Sequence, residues 1–157
     1  MGDQAGLGID IVEIERMREI IERTPSFTTR VFSPDECAYC DAKANPAAHY
    51  ATRFAAKEAV MKALGTGFRF GVGVRDIEVV RDRLGKPTAV LSGRAAQVAE
   101  ELGVRSLNIS LSYTHTEAVA CAMVVTEDSL RAAEERKDPM EELAKKFKEA
   151  RGMLDEL

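Results

Sequence analysis

The sequence predicts an α+β fold, with a mostly antiparallel sheet packed on one long central helix and a helical segment added at the C-terminus. Three observations lead there. Strand-like alternation stands at both ends of residues 1–126, an Ala-rich helix lies between them, and strand signals stop beyond residue 126. The expected organisation is a domain over 1–126 and a C-terminal helical extension over 127–157.

In Gly6-Leu7-Gly8-Ile9-Asp10-Ile11-Val12, Leu7, Ile9 and Ile11 fall on one strand face and Gly8, Asp10 and Val12 on the other. Glu13 to Arg23 is helical and ends before Thr24-Pro25. Ser33-Pro34-Asp35-Glu36 starts a helix, with Ser as N-cap, Pro at the first position and Glu at the third. The long helix runs from about Ala47 to Leu64 and stops at Gly65-Thr66-Gly67. Residues 76–81 and 88–91 form a hairpin about Leu84-Gly85-Lys86-Pro87. Ser92 to Leu102 is an amphipathic helix closed by Gly103. Leu107 to Tyr113 alternates strictly, and Ala118 to Val125 is a last apolar strand. Ser129 to Lys137 and Pro139 to Leu157 read as one helix or a helix pair, packed on the domain or lying across a neighbouring chain. Leu143, Phe147, Ala150 and Leu154 recur there at helical spacing.

Of the 157 residues, 45% are hydrophobic and 31% charged, with a net charge of -4. That balance is ordinary for a globular protein and argues against nucleic acid as a partner, so any anion site is local. No apolar run approaches the roughly 18 residues of a membrane helix. The N-terminal Met1-Gly2-Asp3-Gln4-Ala5 lacks the order of a signal peptide, so the expected location is cytoplasmic and no membrane is involved. Cys37, Cys40 and Cys121 make no disulfide framework, and the lone Cys37-Ala38-Tyr39-Cys40 reads as two cysteines of a short helix rather than a zinc site.

The chemistry centres on Arg53-Phe54-Ala55-Ala56-Lys57-Glu58-Ala59-Val60-Met61-Lys62-Ala63-Leu64-Gly65. Residues four apart share a helix face, which pairs Glu58 with Lys62 and Arg53 with Lys57. Taken alone, Glu58 and Lys62 make a surface ion pair worth about 0.2–0.5 kcal/mol. Asp10 sits mid-strand among apolar residues. Either its face meets water, or its carboxylate is buried and paired, with Gly6 and Gly8 letting other groups close in. Two carboxylates with substrate phosphates are a usual way to hold Mg²⁺, and a neighbouring Lys then neutralises charge on a transferring phosphoryl group. By itself His115 reads as a structural residue on the face of Leu111 and Tyr113. Lys86 reads as a solvated hairpin tip. Arg16, Arg18 and Arg23 read as solvated, or as a face for an acidic partner.

Five segments together resemble one family, the holo-[acyl-carrier-protein] synthases, which are the small trimeric class of 4′-phosphopantetheinyl transferase. Gly6-Leu7-Gly8-Ile9-Asp10-Ile11-Val12-Glu13-Ile14 is similar to the family's G-x-G-h-D-h-x-E-h opening, where h is apolar. Phe27-Thr28-Thr29-Arg30-Val31-Phe32-Ser33 with Glu36 is similar to its F-x-x-R-h-[FL]-[ST] segment. The central helix resembles R-F-A-A-K-E-A-x-x-K-A-x-G-T-G, the most specific of the five, and Gly85-Lys86-Pro87 is the fourth. The fifth is Ser112-Tyr113-Thr114-His115-Thr116 with Ala120 and Ala122, similar to S-h-[ST]-H-[ST]-x-x-x-A-x-A. A register shifted by two residues puts Tyr113 in the histidine position. The order of all five matches the family's over residues 5 to 126.

The resemblance implies the fold of that transferase and its reaction. The 4′-phosphopantetheine arm of coenzyme A passes to a serine of apo acyl carrier protein, releasing adenosine 3′,5′-bisphosphate, in fatty acid biosynthesis. Asp10 and Glu58 would hold Mg²⁺, and Lys62 would neutralise charge or protonate the leaving group. Glu58 or a metal-bound water would take the serine's proton. Arg53, Lys62, Gly65, Lys86, Pro87 and His115 would line the coenzyme A site. Arg16 and Arg23 would face the acidic helix of the carrier protein. The resemblance also implies a homotrimer with active sites between subunits, and the extension departs from the pattern. Two other readings remain: a non-catalytic homologue that binds coenzyme A or a carrier protein, and a Mg²⁺-dependent phosphohydrolase.

Overall fold

Along the chain, β1 (Gly6–Glu13) leads into α1 (Ile14–Arg23), α2 (Ser26–Val31), α3 (Pro34–Asp41) and α4 (Pro46–Ala63). A 3-10 turn (Val74–Asp76), the strands β2 (Ile77–Arg81) and β3 (Pro87–Leu91), and α5 (Gly93–Glu101) follow. The chain then forms β4 (Val104–Tyr113), β5 (Glu117–Thr126), α6 (Glu127–Glu135) and α7 (Pro139–Asp155). The computed structural model describes residues 5–136 and 139–155. The N-terminal residues 1–4, Lys137 and Leu157, each part of the expectations above, lie outside the described residues.

Strand β5 is central in an antiparallel sheet of order β1-β5-β4, with Gly8 opposite Ala122, Asp10 opposite Ala120 and Ile109 opposite Ala122. The inner face of β5 is Ala118, Ala120, Ala122 and Val124, all buried against α4. Such small side chains let the helix lie close to the sheet. The approach is closest at the two glycines of β1. A Cβ on Gly6 would stand 2.1 Å from the Ala63 carbonyl oxygen, and one on Gly8 would stand 1.9 Å from that of Ala59. No side chain fits, so strand and helix meet backbone to backbone.

The two faces of β1 are the reverse of what apolar alternation alone suggests. Leu7, Ile9 and Ile11 are 62, 53 and 59% exposed, while Gly8 and Asp10 face the helix. The reading in which the Asp10 face meets water is therefore corrected. Close backbone packing of α4 decides the matter, since only the glycine face admits it.

Helix α4 is surrounded, with 13 of its 18 residues buried. One core joins its Ala55, Ala59, Val60 and Ala63 to the sheet, to the separate β2–β3 hairpin and to α5. A second joins Ala48, Tyr50 and Ala51 to Ile14, Met17, Val31 and Phe32. Arg53 and Lys57 are both buried but turn to different partners, so they do not act as a pair.

The capping box at Ser33 forms as expected, with Ser33 Oγ accepting from Glu36 N at 3.1 Å and Ser33 N donating to Glu36 Oε1 at 3.0 Å. Helix α2 was not expected, because Phe, Thr and Val are weak helix formers and its helicity comes from packing. Strand β4 begins at Val104, three residues before the expected start, across a register irregularity between Val104 and Ser106. It ends at Tyr113, so His115 lies in the β4–β5 turn and not on the strand face predicted for it. The C-terminal segment is a helix pair. Helix α6 is capped by Thr126 and buries Ser129 and Ala132, whereas α7 buries no residue.

Candidate active site

Gly6 and Gly8 draw α4 onto β1, and this places Asp10 among the α4 side chains. Lys62 Nζ donates to Asp10 Oδ1 at 2.9 Å and to the Ile9 carbonyl at 3.0 Å. The expected Glu58–Lys62 ion pair is thus replaced by an Asp10–Lys62 pair, because the strand presents a buried carboxylate that needs a cation. Asp10 Oδ2 is buried with no hydrogen-bond partner. Neither N–H nor O–H of the protein reaches it. The Glu58 carboxyl is pushed up to about 7, by burial first and then by the hydrogen bond and charge of Asp10, with Lys62 opposing.

An orphaned, buried carboxylate oxygen facing a second carboxylate is a fit for a small hard cation. Among the described residues, no group of three or more His, Cys, Asp or Glu is arranged around a metal. A cation here would rest on Asp10 and Glu58 and take its other oxygens from water and substrate.

Further back along α4, Arg53 lies over the Tyr39 ring at 4.0 Å. Lys43 and Arg81 reach the same ring at 4.5 and 5.1 Å. Arg53 is buried, donates to the His49 carbonyl at 3.4 Å, and leaves Nε without a partner. Three cations thus gather about one aromatic ring, one with an unsatisfied donor, a local concentration of positive charge in a chain of net charge -4. His49, to which no role was given from sequence, packs edge-on against Tyr39 and Tyr113 at 5.8 and 5.6 Å. Burial, and then the charge of Arg53, hold its pKa below the ordinary value. Of the two registers at the end of β4, the structure brings Tyr113 to the Arg53 cluster. His115 stands instead with Glu13, Glu15 and Arg18 about a separate surface cavity.

Two clefts flank the Asp10–Glu58–Lys62 group. One, of about 460 Å³, is lined by Lys62, Gly65 and Glu101 among others. Gly65 has φ +74°, a conformation that lets the chain turn away directly after the helix. The other, of about 360 Å³, joins Glu58 to Arg16, Ile20, Phe27 and Phe54. Arg16 therefore shares a groove with Glu58, while Arg23 is exposed at the far end of α1. Lys86 is exposed on the β2–β3 turn, where its backbone N–H donates to Asp82 Oδ1 at 2.9 Å and Pro87 opens β3. The structure groups neither Lys86 nor Pro87 with Lys62.

The cysteines take no part. Cys40 is buried and its thiol is pushed up to about 12, chiefly by burial. Cys37 Sγ donates to the Thr28 carbonyl at 3.7 Å. Lys43, Arg81, Tyr39 and His49 were missed from sequence. The available signal was a basic and aromatic set within a few residues of Arg53, but β2 brings in Arg81 from 28 positions away.

Residues 6–124 match the model of the 4′-phosphopantetheinyl transferase superfamily. The chain is 51% identical over 124 residues to the holo-[acyl-carrier-protein] synthase of Solibacter usitatus, covering 78% of this chain and 98% of that one. It is 50% identical over 117 residues to that of Moorella thermoacetica, covering 74% and 91%. The solved holo-[acyl-carrier-protein] synthase of Neisseria meningitidis superposes with a TM-score of 0.71 at 32% identity, covering 77% of this chain and 98% of that one. The Helicobacter pylori enzyme in complex with coenzyme A superposes with a TM-score of 0.67 at 31% identity, covering 76% and 99%. With Asp10, Glu58 and Lys62 joined at the β1–α4 contact inside the matched region, the chain belongs to the 4′-phosphopantetheinyl transferase superfamily, among the holo-[acyl-carrier-protein] synthases.

Proposed function

We propose that this protein transfers the 4′-phosphopantetheine arm of coenzyme A to a serine of an apo acyl carrier protein, in fatty acid biosynthesis. The carrying observation is the unpartnered Asp10 Oδ2 beside Glu58, with Lys62 bridging to the same aspartate. The transferase unit is residues 1–126, and 127–157 is an addition. The family model ends at Val124, before α6 and α7 begin.

In this reading Asp10 and Glu58 would hold Mg²⁺, and the ion would supply charge stabilisation at the diphosphate of coenzyme A. The serine oxygen forms the new bond to the β-phosphorus, and the bond to adenosine 3′,5′-bisphosphate breaks. Glu58 or a metal-bound water would accept the serine's proton. Half-exposed Lys62 gives charge or a proton to the departing phosphate. Arg53, with Lys43 and Arg81, receives a second phosphate of coenzyme A, and Tyr113 and His49 support that cluster. Gly65, Lys86 and Pro87 line the coenzyme A path, and His115 does so from a neighbouring subunit. Arg16 and Arg23 steer the acidic carrier, whose serine enters the groove of Ile20, Phe27 and Phe54 toward Glu58.

The exposed Leu7, Ile9, Ile11 and Met123 form one apolar sheet face, which supports self-association. The resemblance specifies a homotrimer with its sites between subunits. No helix among the described residues is long and apolar enough to cross a membrane. The reading places the protein in the cytoplasm, where three unpaired cysteines are ordinary.

The test mixes the protein with coenzyme A, Mg²⁺ and apo carrier, and follows the carrier by mass spectrometry. The carrier is expected to gain the mass of one phosphopantetheine. No gain with coenzyme A binding intact would point to a binding homologue. Free phosphopantetheine without carrier would point to a hydrolase.

A further inference from the structure

Helix α7 presents an apolar seam with nothing of the transferase fold upon it. Leu143, Phe147, Ala150 and Leu154 follow a 4-3-4 spacing, the d-a-d-a run of a heptad. Leu143, Phe147 and Leu154 are 60, 73 and 70% exposed. We propose that α7 is a self-association helix that pairs antiparallel with α7 of a second copy of this chain.

Two features of the seam select that occupant and that orientation. The first is size. A parallel pair sets like against like, Phe147 on Phe147 and Ala150 on Ala150, a crowded level next to an empty one. An antiparallel pair sets Phe147 against Ala150 and Leu143 against Leu154, so a large side chain meets a small one and the seam fills evenly. The second is charge. Lys146 and Arg151 flank the seam at the g and e positions. In a parallel pair they face each other across the helices and repel. In an antiparallel pair Lys146 lies beside Met153 and Arg151 beside Ala144, with no like charges opposed. The sequence of α7 thus complements its own reversed copy.

Antiparallel pairing of identical helices is a two-fold contact. It joins one assembly of the transferase unit to another, closing at twice the mass where all copies of α7 pair between the same two assemblies. The seam spans 12 residues, about three turns, and falls below the roughly 1,200 Å² of a standard interface, so the association is weak and depends on concentration.

The experiment is sedimentation velocity on the full chain from about 1 to 100 μM, the range of weak contacts. It is run on the wild type, Phe147→Glu, Leu143→Glu and Lys146→Glu. The wild type is expected to shift toward twice its low-concentration mass, and both seam variants to stay at that mass with phosphopantetheine transfer unchanged. Lys146→Glu is expected to leave the midpoint within about threefold, whereas a parallel pair would gain an attraction between the new carboxylate and Arg151 and tighten by about tenfold. A wild type whose mass never doubles overturns the proposal. So does a doubling that survives both seam variants, and tightening by Lys146→Glu overturns the orientation. A raised KM for the carrier in Phe147→Glu without any mass change would assign α7 to the carrier. Wild-type flotation with phosphatidylglycerol vesicles, lost in Phe147→Glu, would assign it to membranes. Either result also overturns self-pairing. The seam variants' mass reports the core assembly and the ratio to wild type reports α7, so the two readings fail separately.

Discussion

Lys57 and Glu36 form a buried ion pair in which every polar atom is used. Lys57 Nζ donates to Glu36 Oε1 at 2.8 Å, to the Val74 carbonyl at 3.2 Å, and to the Ile77 carbonyl. Glu36 Oε1 also accepts from Ser33 N, and Oε2 accepts from Val79 N at 3.2 Å. Burial pulls the Lys57 ammonium down and Glu36 opposes it. The pair ties α3 and β2 to α4, the helix that also carries Glu58 and Lys62. Losing one partner strands the other. Lys57→Met is expected to cost about 3–5 kcal/mol in chemical denaturation. Adding Glu36→Gln to Lys57→Met should recover part of that loss, and a fully additive double variant would refute the coupling.

Glu58→Gln and Asp10→Asn are each expected to lower the transfer rate by at least about 10²-fold, as loss of a key electrostatic group does. Folding should hold in Glu58→Gln, since Glu58 is only half-buried, and circular dichroism checks it for the buried Asp10→Asn. In metal-free Asp10→Asn, the Glu58 carboxyl should fall from about 7 toward its ordinary range, read by NMR titration. Rates near wild type in both variants would sink the assignment.

Gly8→Ala tests the backbone contact. The added methyl would lie 1.9 Å from the Ala59 carbonyl and 2.8 Å from Ala63 N, and no rotamer relieves a Cβ. A loss of about 1–3 kcal/mol or more is expected, read as a lower melting temperature. Transfer should fall further than stability does, because α4 must move away from Asp10.

His49 gives a pH dependence. Its folded pKa lies below the ordinary 6.5, so the unfolded chain takes up the proton first. Its contribution to stability is present above pH about 6.5 and is lost as pH falls toward the folded pKa. Arg53→Ala should raise the His49 pKa, and so should coenzyme A, whose phosphate offsets the Arg53 charge. NMR titration of the His49 ring protons checks both. No movement in either would separate His49 from the proposed phosphate site.

Much of this was legible from sequence for a physical reason. Ser33 and Glu36 signal a helix start locally, and a Gly-x-Gly strand before an Ala-rich helix signals close packing. Asp10, Glu58 and Lys62 are grouped across 52 positions because two carboxylates with a Lys suit a metal and a phosphate, a grouping the family resemblance supports. Two things were not legible. Lys62 choosing Asp10 over Glu58 depends on which face of β1 is buried, and apolar alternation pointed the other way. The Arg53 cluster depends on β2 delivering Arg81, a contact that no local pattern encodes.

Strand β1 spends its two faces on different tasks. Asp10 points inward between Ile9 and Ile11, which point outward to the uncovered side of the sheet. On the proposed function, in which this face self-associates and Asp10 holds the metal, catalysis and assembly would be one peptide unit apart. Dilution that separates the subunits should leave Ile9 and Ile11 in water and loosen the strand that holds Asp10. Specific activity should then fall at low enzyme concentration and return when the protein is concentrated again.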